Sequence, residues 1–129
     1  MKVHWTSGSL RLRITPGELD AVRRGDPLRQ RLDGPGGGWT VAVDPRGASF
    51  DVRWDGATAT VELAATDIAR LADPGCEGVY SQSPGMRLIV EKDYPCAHPH
   101  APGAQEPHTE RFTPTDEYRA RKAGPPDAA

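Results

Sequence analysis

The sequence predicts an α+β domain: a mainly antiparallel sheet of about six or seven strands with two short helices on one face, in the order β-α-β-β-β-β-α-β-β, followed by an irregular C-terminal tail. Three observations carry this expectation. Apolar and polar residues alternate with a period of two in several short runs separated by Gly, Pro and Asp, as in hairpin-linked strands. Two brief segments instead place apolar residues three apart behind helix-start residues. Beyond Tyr94 the apolar pattern stops apart from Phe112 and Tyr118, while proline recurs at 99, 102, 107, 114, 125 and 126. The expected organisation is a compact domain over residues 1–93 and a Pro/Gly-rich tail over 94–129.

The elements follow in order. In Gly8–Thr15, Leu10, Leu12 and Ile14 face one way and Arg11 and Arg13 the other, which is the pattern of a half-buried strand. Thr15, Pro16 and Glu18 then form a capping box with proline at the first helical position. Leu19 and Val22 turn this helix onto the sheet, and Gly25 stops it. Leu28–Leu32 is a weaker strand. The loop Asp33–Gly38 is glycine-rich, but no Gly-Lys-Ser/Thr and no helix follows, so it reads as a hairpin connection and not as a phosphate cradle. Trp39–Val43, Ser49–Trp54 and Thr58–Leu63 read as a three-stranded meander, with Asp55-Gly56 as a hairpin turn. A second helix is expected over Thr66–Ala72, with Ile68 and Leu71 inward, and a last hairpin joins Glu77–Gln82 to Met86–Lys92. Trp5, Trp39 and Trp54 fall at strand positions and read as core. No internal repeat or helix-turn-helix spacing is evident. Two helices of two turns each leave one sheet face wet or free for association, so a protein partner or a homodimer is expected to use it.

A chain of 129 residues with 14 Gly, 13 Pro and a hydrophobic share of 36% supports one modest core. The formal charge of −2 argues against nucleic acid and membrane surfaces, which favour a basic excess. Arg11, Arg13, Arg29, Arg31, Arg53 and Arg87 would make a basic stripe on an open sheet face, but Asp51, Asp55 and Glu91 are interleaved with them. The N-terminus has no apolar signal segment, and no run approaches the ~18 apolar residues of a membrane span. The expected location is therefore cytoplasmic, with both cysteines reduced.

Two segments carry a resemblance. The first is Leu10-Arg11-Leu12-Arg13-Ile14-Thr15 with Glu18 and the helix ending near Gly25. The second is Leu88-Ile89-Val90-Glu91-Lys92-Asp93-Tyr94-Pro95-Cys96-Ala97-His98-Pro99. With its Val-Glu-Lys-Asp-aromatic-x-Cys stretch from Val90 to Cys96, the chain resembles a family of small uncharacterised bacterial proteins, a domain of unknown function. His100 and His108 stand in a tail that is acidic in relatives, and Phe112-Thr113-Pro114 echoes its end. The resemblance implies a shared fold, no assigned activity, and Glu91, Lys92, Asp93 and Cys96 as the segment of interest.

That segment also holds the best chemical candidates. In an extended chain Cys96, His98 and His100 are two apart and point the same way. A thiolate and two imidazoles suit zinc or copper, and Asp93 or His108 could complete a tetrahedron. Two-apart ligands on a straight strand are about 6–7 Å apart, so the chain would have to bend. The competing readings are that the histidines are plain tail residues beside a small buried cysteine, or that Cys96 is a nucleophile with His98 or His100 as base and Lys92 lowering the thiol pKa. Glu62 and Glu91 could face each other across the sheet, although carboxylates on a solvated strand face are common. The overall expectation is a binding or accessory domain, with a small Cys96 enzyme or a protein-interaction module as alternatives.

Overall fold

The structure, a computed structural model, describes residues 1–95 and 110–123. Its elements are β1 (Lys2–Trp5), β2 (Ser9–Ile14), α1 (Pro16–Arg23), β3 (Leu28–Gly34), β4 (Gly37–Asp44), β5 (Asp51–Asp55), β6 (Thr58–Glu62), α2 (Ala65–Ala72), β7 (Gly78–Ser83), β8 (Met86–Lys92) and α3 (Asp116–Ala123). The α+β class stands, but the expected architecture is corrected. Eight strands form two four-stranded sheets, ordered β1-β2-β8-β7 and β3-β4-β6-β5. There are three helices among the described residues, and the tail contains α3.

Each correction has a local cause. The extra strand β1 is only four residues long and joins β2 through a tight turn in which Thr6 N–H donates to the Ser9 carbonyl at 2.9 Å. The Trp39–Leu63 region is not a meander. β5 pairs only with β6, and β4 runs parallel to β6, so the Asp44–Asp51 connection crosses over instead of turning back. The first sheet has the same parallel centre, β2 beside β8. α3 is capped by Thr115, whose hydroxyl accepts from Tyr118 N–H at 3.1 Å, within a segment too polar to read as a core helix.

α1 forms as its residues dictate. Thr15 accepts from Glu18 N–H at 3.2 Å, and Glu18 accepts from Thr15 N–H at 3.0 Å. Gly25, at φ +88°, ends it in the left-handed conformation. In α2, Asp67 accepts from Ala64 N–H at 3.0 Å, half of the same box. The inward faces of both sheets and of these helices meet in one core: Leu10, Leu12, Ile14, Leu88 and Val90 from the first sheet, Val41, Val43, Val61 and Leu63 from the second, and Val22 and Leu71 from the helices. Trp5 packs edge-on against Trp39 at 4.9 Å and against Trp54 at 5.2 Å, and Trp54 remains 52% exposed. Ser83 donates to the Asp51 carboxylate at 2.6 Å and Ser81 to the Phe50 carbonyl at 2.9 Å, tying β7 of one sheet to the β5 edge of the other. No helix among the described residues is long and apolar enough to cross a membrane.

The stretch from β1 to β8 is an internal repeat, contrary to the expectation from sequence. β1, β2 and α1 begin at Lys2, Ser9 and Pro16, and β5, β6 and α2 begin at Asp51, Thr58 and Ala65, all at one constant spacing. Two ββαββ units therefore follow one another, β1-β2-α1-β3-β4 and β5-β6-α2-β7-β8. Each sheet joins the first hairpin of one unit to the second hairpin of the other. The details repeat too. Arg87 N–H donates to the Gly8 carbonyl at 2.9 Å where the first sheet's parallel pair begins, and Thr40 N–H to the Ala57 carbonyl at 2.8 Å where the second's begins. The pattern is carried by burial and not by identity, with Leu10, Leu12 and Ile14 answered by Ala59, Val61 and Leu63. The equivalent tryptophans, Trp5 and Trp54, meet each other where the two units join.

Candidate anion-binding site

Because Leu10, Leu12 and Ile14 face the core, Arg11 and Arg13 stand on the outer face of the first sheet. The parallel register sets Arg13 beside Glu91, and the antiparallel register sets Lys2 on its other side. One row across the sheet thus runs Lys2, Arg13, Glu91, Gly78, and the next runs His4, Arg11, Ile89, Tyr80. Arg13 Nε donates to Glu91 Oε1 at 2.9 Å, and Arg11 Nε lies 3.5 Å from the same oxygen. Asp93, just past the end of β8, is 2% exposed. Its carboxylate is 3.1 Å from Lys2 Nζ and 3.8 Å from Arg111 Nε.

Two carboxylates therefore orient cations that line one concavity. It has a volume of about 340 Å³ and is bounded by Lys2, Val3, His4, Arg11 and Arg13. Lys2, Arg11 and Arg13 outnumber Glu91 and Asp93, so the local field is positive despite the acidic chain. Both arginines keep much of their side chains in solvent, which leaves them able to meet a ligand.

Lys92, the neighbour of Glu91, turns the other way. It is buried, and its ammonium donates to the Asp73 carbonyl at 2.8 Å, capping the C-terminal end of α2, with the Phe112 ring 5.5 Å away. Burial pushes its pKa down, and the neighbouring Cys76 and Asp73 push it back up. Cys76 is a free thiol that donates to the Gly78 carbonyl at 3.2 Å.

The described part of the tail returns to this end of the sheet. Phe112 N–H donates to the Asp93 carbonyl at 3.0 Å. Tyr118 stacks on Tyr94 at 4.0 Å, and Arg121 pairs with Glu77 at 2.8 Å. Burial, reinforced by the charge of Glu77, raises the pKa of both phenols.

Of the residues singled out from sequence, Glu91, Lys92 and Asp93 lie together but serve three different partners. Cys96, His98, His100 and His108 lie outside the described residues. Among the described residues no group of three or more His, Cys, Asp or Glu is placed to hold a metal ion. The single arginine stripe is corrected: Arg11, Arg13 and Arg87 belong to the first sheet, and Arg29, Arg31 and Arg53 to the second. Glu62 and Glu91 are likewise on different sheets, Glu62 pairing with Arg53. Sequence reasoning missed Lys2 and His4, although their alternation with Val3 and Trp5 is the period-two signal of a strand.

Searches against curated proteins and against solved structures return no match. A family model does match residues 1–112, a span that runs past β8 and takes in Arg111 and Phe112. The chain belongs to that family, a family of unknown function (DUF7009).

Proposed function

We propose that this chain is a binding domain that holds a small ligand bearing a phosphate or carboxylate group in the concavity between Lys2, His4, Arg11 and Arg13. The observation that carries the reading is the pairing of two largely buried carboxylates with the cations that line one hollow. Glu91 and Asp93 fix the cations in advance, so a ligand anion meets donors already aimed. Two charge-assisted hydrogen bonds of about 1.5–3 kcal/mol each correspond to dissociation constants from several millimolar down to about 0.05 mM. The test is an amide-resolved NMR titration with inorganic phosphate and with succinate in low-salt buffer. Shifts on β1, β2 and β8 are expected with both ligands, and Arg13→Gln should weaken the binding read at those strands about tenfold. Shifts scattered over the surface, or an Arg13→Gln protein that binds as well as the original, would sink the assignment.

A second reading concerns zinc or copper held by Cys96, His98, His100 and His108. The favouring observation is that Asp93 and Phe112, on either side of this segment, are hydrogen-bonded to each other. The ligand-bearing stretch is thus closed at its base, which lowers the entropy lost when four donors converge. Elemental analysis of protein purified without chelator tests it. One equivalent of metal, lost in Cys96→Ser, is the expected result. A metal-free protein that also fails to take up added zinc or copper(I) removes this reading.

A further inference from the structure

The internal repeat gives each outer sheet face a counterpart, and the two differ at one telling position. On the first sheet the row His4, Arg11, Ile89, Tyr80 has a branched side chain at its third place. The equivalent row on the second sheet runs Arg53, Thr60, Ala42, Arg29. Its two middle residues are short and its two ends long, so a floor of alanine and threonine lies between arginine walls. With strands about 4.8 Å apart, Arg29 and Arg53 stand roughly 14 Å from each other, on the two edge strands of the sheet. Over this floor lies a cavity of about 430 Å³.

Arg46, from the turn after β4, supplies the third cation. Its guanidinium lies close to Gly25, where an added Cβ would stand 3.5 Å from Nη2. Arg53 is paired with Glu62, but among the described residues Arg29 and Arg46 form no ion pair. Two guanidiniums without a direct ion pair, and a third beside them, suit a phosphoryl group, whose oxygens match the planar donor fork. The cavity is larger than a phosphate ion needs. Its remaining polar wall is Asp26 and Asp44, acceptors that repel further anions and accept from hydroxyls.

We propose that the second sheet carries a separate binding site for a phosphate monoester of a polyhydroxylated small molecule, with Arg29, Arg46 and Arg53 on the phosphoryl group and Asp26 and Asp44 on its hydroxyls. The site does not depend on the first-sheet concavity.

The experiment is calorimetric titration of the full chain with glucose 6-phosphate as probe, beside inorganic phosphate and glucose. Three variants accompany it: Ala42→Ile, Arg29→Gln and Arg13→Gln. Ala42→Ile places on the floor the residue that the first sheet carries there, without removing any charge. Arg29→Gln changes an exposed side chain, so loss of binding there cannot be loss of the fold. The expected result is that glucose 6-phosphate binds at least tenfold more tightly than either phosphate or glucose. Ala42→Ile and Arg29→Gln should each weaken this tight binding tenfold or more, whereas Arg13→Gln should remove only the weaker phosphate binding of the first-sheet concavity and leave the tight binding in place. Equal affinity for glucose 6-phosphate and phosphate overturns the hydroxylated ligand class. Binding lost in Arg13→Gln but kept in Arg29→Gln and Ala42→Ile assigns the ligand to the other sheet and overturns this site.

Discussion

Replacing Asp93 with alanine is expected to lower the unfolding free energy by about 3 kcal/mol, the low end for a broken buried pair. The carboxylate is 2% exposed and faces two cations, Lys2 at 3.1 Å and Arg111 at 3.8 Å. Truncation leaves the Arg111 guanidinium, itself mostly shielded from solvent, without that counter-charge. Lys2 is about half exposed, so water screens its share, and Lys2→Met alone should cost under about 1 kcal/mol. Asp93→Asn keeps an acceptor but loses the charge and should fall between the two. Urea unfolding of the three variants, read by tryptophan fluorescence, checks the order. A loss under about 1 kcal/mol for Asp93→Ala would mean that its ion pairs contribute no more than surface pairs do.

The parts of this fold that were legible in sequence are those written locally. Thr15, Pro16 and Glu18 specify the start of α1 within four residues, and the structure shows the capping box that they encode. The alternation of Leu10 to Ile14 names the buried face of β2 without any knowledge of its partners. What was not legible is which strands lie side by side. Ser9 pairs with Arg87 and Thr40 with Thr58 through parallel registers that no turn residue announces, because parallel strands are joined by long connections. The repeat was hidden for a related reason. The core requires an apolar residue at each inward position, and either leucine or alanine satisfies it, so Leu10 and Ala59 carry one structural role without sharing identity.

The site divides in the same way. Glu91, Lys92 and Asp93 stood out as a segment, but their roles come from residues far away in sequence: Arg11 and Arg13 for Glu91, the Asp73 carbonyl for Lys92, and Lys2 and Arg111 for Asp93. Alternation along β8 sends Glu91 outward and Lys92 inward, which is why adjacent charges serve different purposes. The arginine cavity of the second sheet was invisible because it is made by what is small. Ala42 carries no chemistry of its own, and only its place between Arg29 and Thr60 gives it meaning.

The second large effect is expected at Gly78. This residue sits opposite Glu91 at the start of β7, and a Cβ there would lie 2.8 Å from both the Glu91 Cβ and the Val90 carbonyl oxygen. Neither atom is the end of a flexible side chain, so Gly78→Ala must push the β7 and β8 backbones apart at the Gly78–Glu91 pair. Overpacking of this kind costs about 1–3 kcal/mol, and the upper end is expected because backbone must move. Glu91 would be displaced with β8, loosening its hold on Arg11 and Arg13, so phosphate affinity at the first sheet should fall together with stability. Gly8→Ala is the matched control. Its added methyl meets nothing within 4 Å, and stability should change by no more than about 1 kcal/mol, in the stabilising direction. Thermal unfolding and phosphate titration of the two variants separate the effects. If Gly78→Ala unfolds at the original temperature and binds phosphate as before, the pairing of Gly78 with Glu91 does not position Glu91, and the orientation of the arginines must come from β2 alone.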